Sequence, residues 1–172
     1  RLVLGGALDA AAPADGDTAG CWTRFGTSWY RYFGDDLGGG ACHAVGARDQ
    51  AAAAVACKSH GAYRARVSSA EENAFIAGLR SSDAWIGGTD AAKEGAWVDE
   101  EGAPLGYVGW ASGQPDNWAD DENCAGMYSS GGWNDYSCDT ELGFVCALAA
   151  PDAVEASAAV AMAAGEARYF AR

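Results

Sequence analysis

Positive charge is scarce in this chain: 11 Lys and Arg stand against 24 Asp and Glu, a formal net charge of −13. That balance argues against nucleic acid as a partner, because phosphate recognition relies on clustered Lys and Arg. Histidine occurs twice, at His43 and His60, in neither a metal-binding nor a catalytic spacing. The cysteines lack the paired CxxC spacing of zinc sites. No apolar run approaches the roughly 20 residues that cross a bilayer, so no membrane span is expected in this chain. There is no GxSxG or comparable nucleophile motif. Nucleophilic catalysis has no support, and the chain does not read as an enzyme. No internal repeat is apparent.

What is present points elsewhere. The 172 residues suit one domain with extensions, long enough to bury a core. Seven Trp, seven Tyr and five Phe supply large apolar surfaces, and 24 Gly suggest many turns, a mix that suits a loop-rich β structure. An even set of cysteines, Cys21, Cys42, Cys57, Cys124, Cys138 and Cys146, reads as disulfides made in an oxidising compartment. A secreted or extracellular-surface location follows as an expectation. Six cysteines allow fifteen connectivities, and sequence alone does not choose among them. The chain begins at Arg1, and Leu2 to Leu4 is too short for a signal-peptide core, so a start made by processing or by choice of boundaries is expected.

Along the chain, residues 1–20 are rich in Ala, Gly and Asp and read as an arm or linker. The domain is expected over 21–148, and 149–172 reads as an Ala-rich tail that could be helical after Pro151. Trp29 to Phe33 is β-prone, and Gly34 to Gly40 reads as a loop. The Ala-rich run from Ala47 to His60, stopped by Gly61, predicts a first helix. Ser69-Ala70-Glu71-Glu72 matches a capping box and predicts the start of a second, whose Phe75, Ile76 and Leu79 face the core. Ala84 to Gly87, Ala96 to Val98, Cys124 to Tyr128 and Gly143 to Ala147 read as strands. Helices in the first half and short strands in the second give an α+β class.

Oxygen donors crowd one span: Gln114, Asp116, Asn117, Glu122, Asn123, Asn134 and Asp135, with Pro115, Trp118 and Trp133 among them. Calcium takes six to eight oxygen ligands from carboxylates, amides and carbonyls, and the span offers neither sulfur nor imidazole for zinc. Acidic, Gly-rich segments are usually solvated loops. Here order and spacing argue otherwise: Gln-Pro-Asp, then Glu122-Asn123-Cys124, then Trp133-Asn134-Asp135 with Cys138, then Gly143-Phe144-Val145-Cys146. With Ser68 to Asn73 and Trp85-Ile86-Gly87-Gly88, these motifs resemble a C-type lectin-like domain from about Cys21 to Cys146.

The resemblance implies two helices flanking small antiparallel sheets, a long calcium-binding loop region, and disulfides Cys57–Cys146 and Cys124–Cys138, leaving Cys21–Cys42. In long-form members the extra bridge closes a hairpin whose second cysteine would fall near Trp29, whereas Cys42 lies in a Gly-rich insertion. The resemblance also implies a principal calcium held by Gln114, Asp116, Glu122, Asn134 and Asp135, with a cis peptide at Pro115. A second calcium maps onto Asp90, Glu94, Asn117, Glu122 and Asn123, with Asn in place of Asp at two typical positions. Two vicinal sugar hydroxyls are expected to bind the ion and the side chains that hold it, Gln114, Asp116, Glu122 and Asn134. Gln-Pro-Asp is the arrangement associated with galactose-type hydroxyls, and Trp118 occupies the position of a stacking Trp. Ala119-Asp120-Asp121 lacks the Gly-rich support some galactose binders have, which implies modest selectivity. Galactose-type glycans are therefore the expected partner, with multivalent assembly as the route to avidity. Protein recognition or ice binding on the same scaffold is the alternative. Trp85, Trp133, Ile86 and Val145 read as core anchors.

Overall fold

A computed structural model describes residues 21–34 and 46–148. The N-terminal arm, the Gly-rich insertion with Cys42 and His43, and the C-terminal tail lie outside the described residues. The element order is β1 (Thr23–Phe25), β2 (Ser28–Phe33), α1 (Gln50–Ser59), β3 (Tyr63–Arg64), α2 (Ala70–Gly78), β4 (Ala84–Thr89), a 3-10 turn (Trp118–Asp120), β5 (Cys124–Met127), β6 (Trp133–Tyr136) and β7 (Gly143–Leu148). The described strands join in one sheet of order β1-β2-β7-β4-β5-β6, with β3 also pairing β7. All pairings are antiparallel except β4 with β7, so the sheet is mixed. The α+β class with two helices holds.

The helix starts follow local chemistry. Asp49 caps α1 by accepting from the Ala52 amide at 2.7 Å, so the helix begins at Gln50 and not at Ala47. Arg48 is used differently: its backbone pairs with Leu142 in both directions. Ser69 caps α2 from the Glu72 amide at 3.2 Å. The reciprocal half of the capping box is shifted by one residue, because the Glu72 carboxylate accepts from the Ser68 amide and hydroxyl and from the Tyr30 phenol. Glu72 thus ties α2 to β2 from a buried position.

Ala96 to Val98 forms no strand. Gly95 turns the chain at φ +74°, and Val98 makes only isolated bridges to Thr89 and Pro104. The reverse correction applies to β6, whose Trp-Asn-Asp-Tyr sequence is polar at its centre yet pairs with β5 over four residues.

Two apolar clusters fill the domain. One packs Ile76, Ile86, Met127, Trp133 and Val145 between α2 and the sheet, with Phe75 and Leu79 against it. The other gathers Phe33, Cys57, Trp85, Phe144 and Cys146. The Cys57–Cys146 disulfide ties α1 to β7 across 89 residues, and Cys124–Cys138 spans β6. Cys21 is also disulfide-bonded. Trp85 lies fully buried and donates its indole N–H to the Arg48 carbonyl at 2.8 Å, satisfying the one polar atom it carries inward.

Candidate metal centre

Residues 90–123 connect β4 to β5 with little regular structure, so their placement depends on side chains and isolated bridges. Trp133 is the main post. Its backbone bonds to Gly109 and Ala111, Trp110 meets it edge-on at 5.6 Å, and Tyr107 does so at 5.8 Å. Asn73 of α2 fixes that post: its Oδ1 accepts from the Trp133 indole at 2.6 Å and its Nδ2 donates to the Gly131 carbonyl at 2.9 Å. The chain reaches Gln114 through a turn closed by Gln114 N donating to the Ala111 carbonyl. The Gln114–Pro115 peptide is cis.

Beyond the proline the backbone is held by a buried carboxylate. Asp135, on β6, accepts from the Asp116 amide at 3.1 Å and from the Asn117 amide at 2.7 Å, one on each oxygen. Asn117, Ala119 and Asp120 all take positive φ. The tight coil this makes folds back on Glu122, which accepts from the Trp118 amide at 3.0 Å while its own amide donates to Asn117 Oδ1 at 3.0 Å. Asp116, Glu122 and Asp135 thereby bring carboxylate oxygens within 4.8 Å of one another. Like charges this close repel, and a cation is the ordinary compensation. Burial raises the Glu122 pKa above the usual carboxylate range; the Trp118 amide opposes that, while Asp135 and Asp116 add to it.

Two further oxygens belong to the same region. Gln114 Oε1 and Asn134 Oδ1 are buried and have no hydrogen-bond partner. A buried acceptor without a donor costs free energy unless something else satisfies it. Calcium satisfies such oxygens, so the donor set of two amide oxygens and three carboxylates fits that ion.

Asp90, Glu94, Asn117, Glu122 and Asn123 form an adjoining group. Asp90 is buried, with Oδ2 accepting from the Gly95 amide at 2.8 Å and Oδ1 lacking a partner. Glu94 accepts from Asn117 Nδ2 at 2.5 Å. Its pKa is raised by desolvation and then by Asp90, Asp135 and Asp120, with the Asn117 bond opposing. Asn123 is tied through its carbonyl, which accepts from Thr89 Oγ1 at 2.7 Å and from the Asp90 amide at 3.2 Å. Asn117 and Glu122 therefore stand at the junction of the two groups.

Trp118 is 74% exposed, unlike Trp85 and Trp133, which are fully buried. Its backbone is anchored to Glu122 while its ring remains free at the surface, beside the carboxylates. Sequence reasoning gave Asn73 no role; its partners lie 58 and 60 residues away, and no local pattern signals such a bond.

Comparison with known proteins agrees with this architecture. The family model for the lectin C-type domain matches residues 47–148. The chain is similar to the galactose-specific lectin nattectin of Thalassophryne nattereri, 37% identical over 109 residues, covering 59% of this chain and 69% of that protein. It is also 37% identical over 97 residues to C-type mannose receptor 2 of Mus musculus, covering 54% of this chain but only 6% of the receptor's length. Among solved structures, the carbohydrate-recognition domain of the mouse scavenger receptor C-type lectin superposes with a TM-score of 0.66 at 27% identity, over 78% of this chain and 99% of that one. The chain belongs to the C-type lectin domain family, a group of carbohydrate-recognition modules and not of enzymes.

Proposed function

We propose that this C-type lectin domain binds terminal galactose or N-acetylgalactosamine in a calcium-dependent manner. The observation that carries the proposal is the gathering of Asp116, Glu122 and Asp135 within 4.8 Å, beside two buried amide oxygens without donors and an exposed Trp118. Gln114, Asp116, Glu122, Asn134 and Asp135 hold the principal ion. Asp90, Glu94, Asn117, Glu122 and Asn123 hold a second. When bound, calcium supplies free coordination positions for two vicinal hydroxyls.

The side chains do the rest. Gln114 and Asn134 each carry an amide N–H that can donate to a sugar oxygen, and Asp116 and Glu122 accept from its hydroxyls. Placing Gln before the proline and Asp after it sets which side donates, and so which pair of hydroxyls fits. Trp118 offers an apolar face to the C–H surface of galactose. Support for galactose also comes from nattectin, whose name describes a galactose-specific lectin.

A single shallow site of this kind binds sugar at about millimolar Kd, because few ligand atoms are buried. Useful avidity then requires several copies. Disulfides are consistent with a secreted or cell-surface setting. Among the described residues no helix is long and apolar enough to cross a membrane.

A glycan array probed in calcium and again in chelator tests the proposal. Galactose-type signals lost on chelation are expected. Dominant mannose binding, or binding indifferent to chelator, refutes it, and ice-recrystallisation inhibition without sugar competition assigns the scaffold to the alternative.

A further inference from the structure

A primary amide has a donor end and an acceptor end, and as a calcium ligand it is useful only with its oxygen toward the ion. Asn134 lies on β6, and its Oδ1 is buried without a partner. The other end is engaged: Nδ2 donates to the Asp135 carbonyl. The same amide lies beside the Tyr136 phenol. Burial, and after it the Asp83 carboxylate, push the Tyr136 pKa upward, while the Asn134 side chain opposes the shift as an N–H donor to the phenol oxygen does.

The phenol is itself fixed. Tyr136 Oη donates to Asp83 Oδ2 at 3.1 Å, and Asp83 Oδ1 accepts from the Ser129 amide at 2.8 Å. The ring meets Trp85 edge-on at 5.7 Å and Tyr128 at 6.2 Å. Gly126, opposite Asn134 in the β5–β6 register, leaves room for that ring; a Cβ there would stand 2.6 Å from it. Asp83 lies just before β4, outside the ligand loop, so this support is separate from the carboxylate group.

We propose that Tyr136, held by Asp83, is a positioning residue for Asn134: it takes the NH2 end of the amide and leaves Oδ1 as the acceptor offered to calcium. A reversed amide would set Oδ1 against both the Asp135 carbonyl and the phenol oxygen, so the observed orientation is the one its surroundings favour. The inference rests on the calcium role of Asn134.

The test compares wild type with Tyr136→Phe and Asp83→Asn by calorimetric titration with calcium alone and by the side-chain amide signals of Asn134 in the calcium-free ¹H–¹⁵N spectrum. Tyr136→Phe keeps the ring and is expected to weaken calcium binding by about fivefold, the size of one hydrogen bond. It is also expected to shift the Asn134 NH2 signals. Asp83→Asn keeps an acceptor for the phenol and is expected to retain near wild-type affinity. Unchanged calcium affinity in Tyr136→Phe, or a loss in Asp83→Asn as large as in Tyr136→Phe, overturns the inference. If wild type binds no calcium, the proposed function fails; the calcium-free spectra still decide the positioning, and Asn134 signals indifferent to Tyr136→Phe overturn it.

Discussion

Glu122→Gln is expected to change stability with opposite sign in the absence and the presence of calcium. Without the ion, Glu122 shares a 4.8 Å neighbourhood with Asp116 and Asp135. Two unit charges at that distance repel by about 0.9 kcal/mol in a water-like dielectric. Two such neighbours double the figure to about 1.7 kcal/mol, and solvent screening at the exposed Asp116 reduces it to about 1 kcal/mol. The glutamine still offers an oxygen to the Trp118 amide, so little is lost in exchange. The calcium-free variant should therefore melt about 3–6 °C higher than wild type. With calcium at about 100 times its Kd, wild type gains about 2.7 kcal/mol by linkage. A variant binding about 100-fold more weakly gains only about 0.4 kcal/mol, so it should then melt below wild type. Differential scanning calorimetry across a calcium titration should show the two curves crossing. A variant that melts lower without calcium, with no crossing, refutes the view of these carboxylates as a repulsive cradle awaiting a cation.

Other expectations follow from the same geometry. The raised pKa values of Glu94 and Glu122 mean that, without calcium, their contribution to stability is present below the ordinary glutamate range and is lost as pH rises through the shifted values. Calcium affinity should do the opposite, falling as pH drops through those values and starting above the unperturbed Glu pKa of about 4.3; calorimetric titrations at several pH values check both signs. Trp118→Ala should weaken galactose binding by up to about tenfold while leaving calcium affinity unchanged and stability within about 0.5 kcal/mol, because the ring is exposed; loss of the metal site in that variant would remove its stacking role. Replacing both Cys57 and Cys146 by Ala opens an 89-residue closure and should cost about 4 kcal/mol by denaturant titration, far more than any single change in the ligand loop.

What could be read in advance depended on the range of each interaction. The Ser69 cap, the Gly61 stop after α1 and the strands at Ala84 and Gly143 follow from neighbouring residues, and local chemistry was enough to place them. Helix α1 was set too early because Arg48 is claimed by a pairing with Leu142 that nothing near Arg48 announces. Strand β6 escaped detection because buried strands usually read as apolar runs, whereas Asn134 and Asp135 are buried by virtue of the loop they hold. Three tryptophans of one composition divide into two buried posts and one exposed ring, and only their positions within the motif distinguished Trp118 from Trp85 and Trp133. The Asn73 and Tyr136 networks stayed invisible, since each joins residues 53 or more positions apart.

The two halves of the centre differ in how much the protein itself determines them. Asn134 and Asp135 sit on a paired strand behind Trp133, in the packed interior, and are fixed before any ion arrives. Asp116 and Glu122 sit on an exposed coil whose attachment is mainly two amides donating to Asp135 and two bonds between Asn117, Trp118 and Glu122. Each Asp135 oxygen uses one acceptor direction on the coil and keeps another, so ion binding does not require those bonds to break. Calcium affinity is then governed by the free energy of ordering the coil against the repulsion it carries, more than by building a site from nothing. Asn117 couples this cost to the second group, because its two amide ends hold Glu122 and Glu94 at once. Filling either group steadies a residue the other needs, so two ions on this scaffold should bind with positive coupling, as expected where one ligand orders what the next requires.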